Sequence, residues 1–300
     1  MISILILTKN EEQDLPGCLE SVRWSDDIHV FDSYSTDQTL EIARMGGARV
    51  TQRHFDNWSS HQNWGLANIP FRHPWTLYID ADERVTPELA ASMRQAVENA
   101  GDKITFRLRR RDFWGERWLK HVVASSYYLR LFRPEKMRYE RLVNPLSIPD
   151  GPVGELTGYL DHYPFSKGMT YWLSRHNSYS SLEAQQTLAN RAGNQRFSLH
   201  QAFFGKDVNQ RRFHQKELFY RMPARPFLKF LLLYVGKRGF LDGTEGFHYA
   251  VLQSLYEYMI VLKTKELIRK QAVAFAAGKI SPSPSAASIE KLHANSRTSE

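Results

Sequence analysis

The sequence predicts an α/β fold built around a parallel sheet, followed by a mostly helical C-terminal region. In the first hundred residues, short apolar runs alternate with helical patterns and polar turns, as in chains that lay successive strands into one parallel sheet. From residue 223 the chain becomes apolar and basic together, and a long helical pattern follows. The 300 residues are 42% hydrophobic and 13% aromatic, so the chain can bury a sizeable core.

Four strands are predicted, at 2–7, 28–31, 48–51 and 75–79, and the first of them is a continuous apolar run. Uninterrupted runs are typical of strands that are buried on both faces of a sheet. The predicted helices of this part lie around 15–22, at 39–45 and at 86–99. Thr86 caps the last of these, and Pro87 occupies its first turn.

The later part of the chain has a different pattern. From 103 to 165 we expect shorter strands and loops, with several arginines close together. Helices are predicted over 168–200 and from about 244 to 269, and the Ser-, Pro- and Ala-rich segment 278–300 is predicted to be a disordered tail.

Charge is unevenly distributed. Residues 1–100 hold 8 Lys and Arg against 15 Asp and Glu, residues 101–200 hold 16 against 9, and residues 201–300 hold 16 against 8. The net charges of −7, +7 and +8 suggest two surfaces with different tasks. The basic part could meet nucleic acid, an anionic membrane surface or a phosphorylated substrate.

Cysteine usage and hydropathy favour a cytoplasmic protein. The single cysteine, Cys18, excludes an internal disulfide framework and a cysteine-based zinc site, and it fits a reducing compartment. The first apolar run lacks a basic leader, so no signal peptide is expected. No stretch reaches the roughly 20 apolar residues of a membrane-spanning helix.

Acidic side chains fall where the predicted strands end, at Asp32 and at Asp80 and Asp82. Ligands of open α/β sheets bind beyond the carboxyl ends of the strands. Two carboxylates separated by one residue can share a divalent cation that also bridges to substrate phosphates. They could instead cap the following helix, but Thr86 already supplies that cap. No glycine-rich phosphate loop is present, so side chains and a metal ion would have to hold a nucleotide.

Three blocks at these strand ends resemble the motifs of family 2 glycosyltransferases. They are Leu7–Glu12 (LTKNEE), Phe31–Asp37 (FDSYSTD) and Tyr78–Glu83 (YIDADE). Members of this family have the GT-A fold, a Rossmann-like domain that binds nucleoside-diphosphate sugars, and they invert the anomeric centre. The blocks occur in the family's order within the first hundred residues, each at a strand end.

Later segments resemble a bacterial branch that includes lipopolysaccharide-core glucosyltransferases and exopolysaccharide enzymes. These segments are Arg130–Arg133, Asp161–Tyr163, Arg175–Ser181 and Gly239–Gly246. The resemblance covers about residues 1–270. The chain departs from it at Val143-Asn144-Pro145, where many relatives carry Val-His-Glu, so the catalytic role of that Glu has no counterpart here.

The resemblance implies a role for each strand-end residue. Thr8, Asn10 and Glu11 would contact the donor nucleotide, and Asp32 its base or ribose. Asp80 and Asp82 would bind Mg²⁺ or Mn²⁺ and through it the diphosphate, with Asp82 the surer ligand. The cation would stabilise charge on the departing nucleoside diphosphate.

Two further residues are assigned with alternatives open. His162 is a candidate metal ligand, because GT-A enzymes often supply a late histidine, but a structural histidine beside Tyr163 fits equally. Inversion needs a carboxylate to remove the acceptor hydroxyl's proton. We favour Glu140 for this, and an ion pair with Arg138 or Arg141 is the alternative. The other candidate bases are Glu116, Glu135, Asp150 and Glu155.

The resemblance also suggests an arrangement of domains and a cellular location. A GT-A catalytic domain would span 1–200, with the nucleotide-sugar half in 1–100 and the acceptor region in 101–165. Residues 201–277 would form a helical region, in which apolar segments edged by Lys and Arg suit the membrane interface. A helical hairpin packed on the catalytic domain is the alternative.

Together these observations predict a metal-dependent hexosyltransferase that acts on a cell-envelope glycan or glycolipid at the cytosolic face of the inner membrane. A nucleotidyltransferase would also pair carboxylates on an α/β sheet, but its glycine-rich loop is missing. A nucleic-acid-binding protein would use the basic surface, but no such motif is present and the strand-end carboxylates would have no task. We therefore expect no nucleic-acid partner.

Overall fold

The structure is a computed structural model of the chain. It describes residues 1–123, 125–140, 145–192, 197–205, 211, 214–215, 218–220, 222 and 224–276. The chain divides into two compact units, the first from Met1 to Met169 and the second beginning at Thr170.

The first unit alternates strands and helices in its N-terminal part and is mainly β-structure afterwards. Its helices are α1 (Leu15–Val22), α2 (Thr39–Met45), α3 (Trp58–Asn68) and α4 (Pro87–Glu98). Its strands are β1 (Ser3–Thr8), β2 (Ile28–Asp32), β3 (Arg49–Gln52), β4 (Thr76–Asp80), β5 (Glu83–Val85), β6 (Thr105–Trp114), β7 (Arg117–Trp118), β8 (Tyr127–Phe132), β9 (Met137–Glu140), β10 (Leu146–Pro149) and β11 (Val153–His162).

One mixed sheet organises this unit. Among the described residues its strand order is β3-β2-β1-β4-β8-β6-β11-β5, with β7 paired to β6. Strands β3, β2, β1 and β4 are mutually parallel, β8 runs antiparallel to both of its neighbours, and β11 is parallel to β6. The prediction of a parallel α/β sheet over the first hundred residues is confirmed.

The segment 103–165 differs from the expectation of short strands. Strands β6 and β11 are ten residues long and extend the main sheet. Strand β6 reads Thr-Phe-Arg-Leu-Arg-Arg-Arg-Asp-Phe-Trp, so its arginines obscure the strand pattern. The strand forms because Phe106 and Leu108 are buried in the core while Arg107 and Arg109 are exposed.

The core lies on both faces of the parallel strands. Every residue of β1 is buried, and Ile4 and Ile6 pack with Leu15 of α1 and Leu89 of α4. On the other face, Phe31 belongs to a second apolar cluster, which Trp64 of α3 helps to cover. This packing fixes the register in which Thr8 pairs with Asp32 and Leu7 with Asp80. The polar side chains at the ends of β1, β2 and β4 therefore lie at one edge of the sheet.

The second unit is helical in the part that the structure describes. It contains most of α5 (Gly168–Ala192), then α6 (Leu199–Phe204), α7 (Arg225–Leu231) and α8 (Gly243–Ala276). A π-helical turn at Leu232–Gly236 and a 3₁₀ turn at Gly239–Asp242 connect α7 to α8. Within the described residues, no helix is long and apolar enough to cross a membrane. The predicted tail 278–300 and the segment Val143-Asn144 lie outside the described residues.

Candidate active site

Asp32 connects the loops at the ends of three strands. Its carboxylate is fully buried and accepts hydrogen bonds from the Thr8 hydroxyl at 3.0 Å, the Ser35 amide at 2.9 Å and the Gln52 side chain at 3.0 Å. The Ser35 hydroxyl donates to it as well. Asp32 therefore shapes the turn that follows β2, and Thr8 is one of its donors.

Asn10 ties the loop after β1 to the loop after β2. Its side-chain oxygen accepts a hydrogen bond from the Thr36 backbone amide, and the backbone amide of Asn10 donates to the Ser35 hydroxyl, both at 2.8 Å. The Asn10 backbone has a φ of 55°, in the left-handed region that few non-glycine residues adopt. Strained backbone is thus held at the edge where the sequence predicts the donor nucleotide.

Glu11 forms a close ion pair with Lys167, a residue that the sequence did not single out. The Lys167 ammonium lies 2.5 Å from Glu11 Oε1 and donates to the Asn10 carbonyl at 2.8 Å. The other carboxylate oxygen of Glu11 is buried and has no hydrogen-bond partner among the described residues. Burial raises the pKa of Glu11 to about 7 despite Lys167, and the charges of Asp82 and Asp14 contribute to the rise. An acceptor without a donor at this place is ready for a hydroxyl of a ligand.

Both carboxylate oxygens of Asp80 are occupied by protein groups. Arg130 of β8 donates to one oxygen at 2.9 Å, and the Tyr78 hydroxyl donates to the other at 2.9 Å. Arg130 is itself buried and also lies 3.2 Å from Glu83 Oε1. Glu83 in turn accepts from the Asp80 amide at 2.9 Å. Asp80 is therefore fixed in place by the core of the sheet.

Asp82 faces His162 across the end of the sheet. The distance from Asp82 Oδ2 to His162 Nε2 is 3.4 Å, and both side chains are largely shielded from solvent. The other ring nitrogen of His162, Nδ1, lies 2.6 Å from the carboxylate of Asp112 on β6. Burial disfavours the imidazolium, but Asp82 and Asp112 together raise the pKa of His162 to about 9.

These contacts join into a chain of alternating charge that runs from one aspartate of the predicted metal motif to the other. Its successive members are Asp80, Arg130, Glu83, Arg110, Asp112, His162 and Asp82. Each acid faces a base, so the buried charges are compensated. Within the described residues, no group of three or more His, Cys, Asp or Glu side chains is arranged to hold a metal ion. The structure thus pairs Asp82 with His162 and places Asp80 on Arg130.

Glu140 ends strand β9, which forms a two-stranded hairpin with β10. Its side chain is 55% exposed, and Arg138 lies 3.3 Å away. The adjacent Tyr139 backbone is held by Asn63 of α3, through hydrogen bonds of 2.8 and 2.9 Å. The contact with Arg138 is the one that the sequence offered as the alternative to a catalytic role, and Arg141 lies outside the described residues.

Sequence reasoning missed Lys167, Asp112 and Glu83. The signal for Glu83 was present, because it follows the Asp80-Ala81-Asp82 motif directly. Asp112 carried no signal, since only the parallel pairing of β6 with β11 brings it opposite His162.

The comparison with known families agrees with this geometry. The model described as Glycosyl transferase family 2 matches residues 3–153, half of the chain, and the chain belongs to that family. The mixed sheet and the helical C-terminal region have the GT-A architecture that the sequence predicted. The protein is a glycosyltransferase.

The chain is similar to several bacterial glycosyltransferases, one of which is named as a lipopolysaccharide-core enzyme. It is 26% identical over 272 residues to the lipopolysaccharide core biosynthesis glycosyltransferase LpsC of Rhizobium meliloti, covering 87% of this chain and 91% of that protein. It is 24% identical over 275 residues to an uncharacterized glycosyltransferase of Rickettsia typhi, covering 90% and 88%. Among solved structures, TarS 1-349 of S. aureus is similar, with a TM-score of 0.40, 12% identity and coverage of 83% and 90%. The predicted resemblance to a lipopolysaccharide-core branch is confirmed.

Proposed function

We propose that this glycosyltransferase moves a hexose from a nucleoside-diphosphate donor to a cell-envelope glycan or glycolipid, with inversion and with the help of a divalent cation. The observation that carries the proposal is the edge of the sheet where Asp82 faces His162 and Glu11 pairs with Lys167. Carboxylates, an imidazole and an ammonium converge there from β1, β4 and β11, at the place where ligands of α/β sheets bind.

The residues fit a cation such as Mn²⁺ or Mg²⁺. Carboxylate oxygen and imidazole nitrogen are suitable ligands, and Asp82 and His162 offer one of each, the imidazole after it releases the proton on Nε2. Asp112 on Nδ1 of His162 supplies the carboxylate–histidine arrangement that orients metal-binding imidazoles. A cation held by so few protein groups completes its coordination with water and substrate phosphates. When bound, it would neutralise charge that develops on the leaving diphosphate.

The chain's own residues would bind and orient the donor. Glu11 has a buried oxygen that can accept from a nucleotide hydroxyl, and Asn10 lies in the same loop. Thr8 and Asp32 shape the neighbouring loop from within. Asp80 would act through its fixed position beside Tyr78 and Arg130.

Inversion requires a single displacement at the anomeric carbon. The acceptor hydroxyl would give its proton to the Glu140 carboxylate while its oxygen bonds to the anomeric carbon. The bond from that carbon to the diphosphate oxygen breaks, and the pair of electrons leaves with the diphosphate. Glu140 suits this role because it is exposed and lies on a hairpin that α3 holds in place.

A membrane-bound acceptor is supported by the second unit. Residues 170–300 hold 19 Lys and Arg against 9 Asp and Glu, a net charge of +10, whereas residues 1–169 hold 21 against 23. Four apolar residues of α7 and of the turns that connect it to α8 are each more than half exposed, namely Phe227, Leu232, Val235 and Leu241. Apolar side chains beside basic residues suit the interface of an anionic bilayer. We propose that this segment, residues 227–241, contacts the cytosolic face of the inner membrane.

A direct transfer assay tests the proposed function. The full chain is incubated with Mn²⁺, core-truncated lipopolysaccharide and, in turn, UDP-, GDP-, CDP- and dTDP-linked hexoses. We expect one donor to label the acceptor, and NMR of the product to give the opposite anomeric configuration. Labelling with retained configuration would refute inversion. Failure of every donor, with truncated exopolysaccharide acceptors included, would refute the proposed substrates.

A further inference from the structure

Tyr34 has an unusual backbone conformation for an exposed aromatic residue. Among the described residues of the first unit, Asn10 and Tyr34 are the non-glycine residues with positive φ, and that of Tyr34 is 59°. A bulky side chain disfavours this left-handed conformation. The Tyr34 ring is 42% exposed, so burial does not explain why the conformation is kept.

The surrounding contacts hold this conformation. Asp32 accepts from the Ser35 amide at 2.9 Å, which fixes the turn on one side of Tyr34. The Lys9 ammonium donates to the carbonyls of both Ser33 and Tyr34. A strained residue that its neighbours fix in place beside a candidate site indicates a use for its side chain.

That side chain stacks on His54. The two ring centroids are 4.0 Å apart and the planes are inclined by 20°. His54 is exposed and belongs to the loop after β3, next to Phe55, which is 46% exposed. The pair presents flat aromatic surface beyond the ends of β2 and β3. A planar base would gain by stacking there.

The strand order places this pair at a suitable distance from the charged part of the site. From β2, which leads to Tyr34, the sheet continues through β1 to β4, which leads to Asp82. Neighbouring strands are about 4.8 Å apart, so two steps span roughly 10 Å. That is comparable with the length of a nucleoside diphosphate lying along the edge. Glu11, in the loop after β1, would then face its ribose.

We propose that Tyr34 and His54 form the platform on which the nucleobase of the donor stacks, an inference that rests on the proposed nucleotide-sugar donor. Every base has an aromatic face that can stack, so stacking does not distinguish one base from another. The platform therefore increases the affinity for a nucleotide without selecting its base.

Binding by Tyr34 variants tests the platform. Affinities of the full chain for UDP, GDP, CDP and dTDP, and for inorganic pyrophosphate as the probe without a base, are measured by calorimetry with Mn²⁺. Tyr34→Ala should weaken binding of the nucleoside diphosphate that the wild type binds by about tenfold and leave pyrophosphate unchanged. Tyr34→Phe keeps the stack and should retain wild-type affinity.

Tyr34→Gly separates stacking from strain. Glycine adopts positive φ without the penalty of a Cβ atom, so this variant should unfold at a higher temperature than Tyr34→Ala. It should nevertheless bind the nucleotide as weakly as Tyr34→Ala. If Tyr34→Ala bound the nucleotide with wild-type affinity, or lost as much affinity for pyrophosphate as for the nucleotide, the stacking platform would be refuted. The proposed donor class would still stand. A wild-type protein that binds none of the four nucleotides would overturn the donor class and the platform with it.

Discussion

The carboxylate of Asp82 lies 3.4 Å from the imidazole of His162, and Asp112 holds the far side of that ring. Asp82→Asn keeps the size of the side chain and removes the charge that a cation requires. We expect sugar transfer with Mn²⁺ to fall by roughly two orders of magnitude or more while the protein stays folded, with a lower melting temperature because His162 loses the charge of one of its two carboxylates. Initial rates of transfer measure this.

A matched variant is Asp26→Asn. Asp26 precedes β2, at the opposite end of the parallel strands, and pairs with Arg72 and His73. Its transfer rate should equal that of the wild type. Full activity in Asp82→Asn would contradict the assignment of the metal ligand.

Glu140 is expected to act on the acceptor rather than on the donor. Glu140→Gln should lower kcat by roughly 10² to 10⁴ while the donor binds as before, because a general base contributes to the chemical step. Glu135 lies in the 3₁₀ turn Pro134–Lys136, just before β9, and Glu135→Gln is the control that should keep wild-type kcat. Wild-type turnover in Glu140→Gln would move the base to another carboxylate, of which Asp150 and Glu155 are the first to test.

At the scale of the elements, Arg130 joins β8 to the loop between β4 and β5. Its guanidinium is buried and contacts Asp80 at 2.9 Å and Glu83 at 3.2 Å. Arg130→Met would leave the buried Glu83 and the partly exposed Asp80 without this cation, and we expect the free energy of unfolding to fall by about 3 kcal/mol. Urea denaturation measures it. Arg109→Met on the neighbouring strand, where the side chain is exposed, should change stability by only about 0.5 kcal/mol.

The elements also show how far sequence patterns reach. The parallel strands β1, β2, β3 and β4 were predictable because short apolar stretches alternate with helical patterns, and the unbroken apolar run of β1 has few alternatives to a buried strand. Helix α3, Trp58–Asn68, was missed because its Trp, Ser, His, Gln and Asn residues form no regular apolar stripe. Strand β6 was underestimated because four of its ten residues are arginines.

The same limit applies to the site. Asp32, Asp80 and Asp82 could be found because each follows a recognisable strand. Lys167 and Asp112 could not, since they reach the site only through the pairing of β11 with β6 and with β5. Local patterns predict which strands exist, whereas contacts between distant segments depend on the order in which the strands pair.

For the whole molecule, the basic second unit is expected to determine where the enzyme works. Replacing Phe227 and Leu232 together by Ser removes two exposed apolar side chains from the proposed membrane segment. We expect the affinity for anionic phosphatidylglycerol vesicles to fall by at least about tenfold, because inserting each such side chain contributes about 1.5–3 kcal/mol. Vesicle co-sedimentation measures it.

Val273→Ser is the control for this experiment, because Val273 is 69% exposed but lies far along α8 from the proposed segment. Its vesicle binding should match that of the wild type. If the Phe227 and Leu232 double variant bound vesicles as tightly as the wild type, the proposed membrane segment would be contradicted. The alternative of a helical hairpin packed within the protein would then be favoured.

The most direct measurement for the central claim is a thermal-shift panel of UDP, GDP, dTDP and CMP sugars, each with and without Mn²⁺, on the wild type and on Asp82→Asn. A ligand that binds only the folded state raises its stability with the logarithm of saturation, so a weak donor is still detected. We expect one nucleotide to raise the melting temperature of the wild type when Mn²⁺ is present, and Asp82→Asn to lose that rise. No shift with any nucleotide, or an equal shift without Mn²⁺ and in Asp82→Asn, would contradict a metal-dependent nucleotide-sugar site at this edge of the sheet.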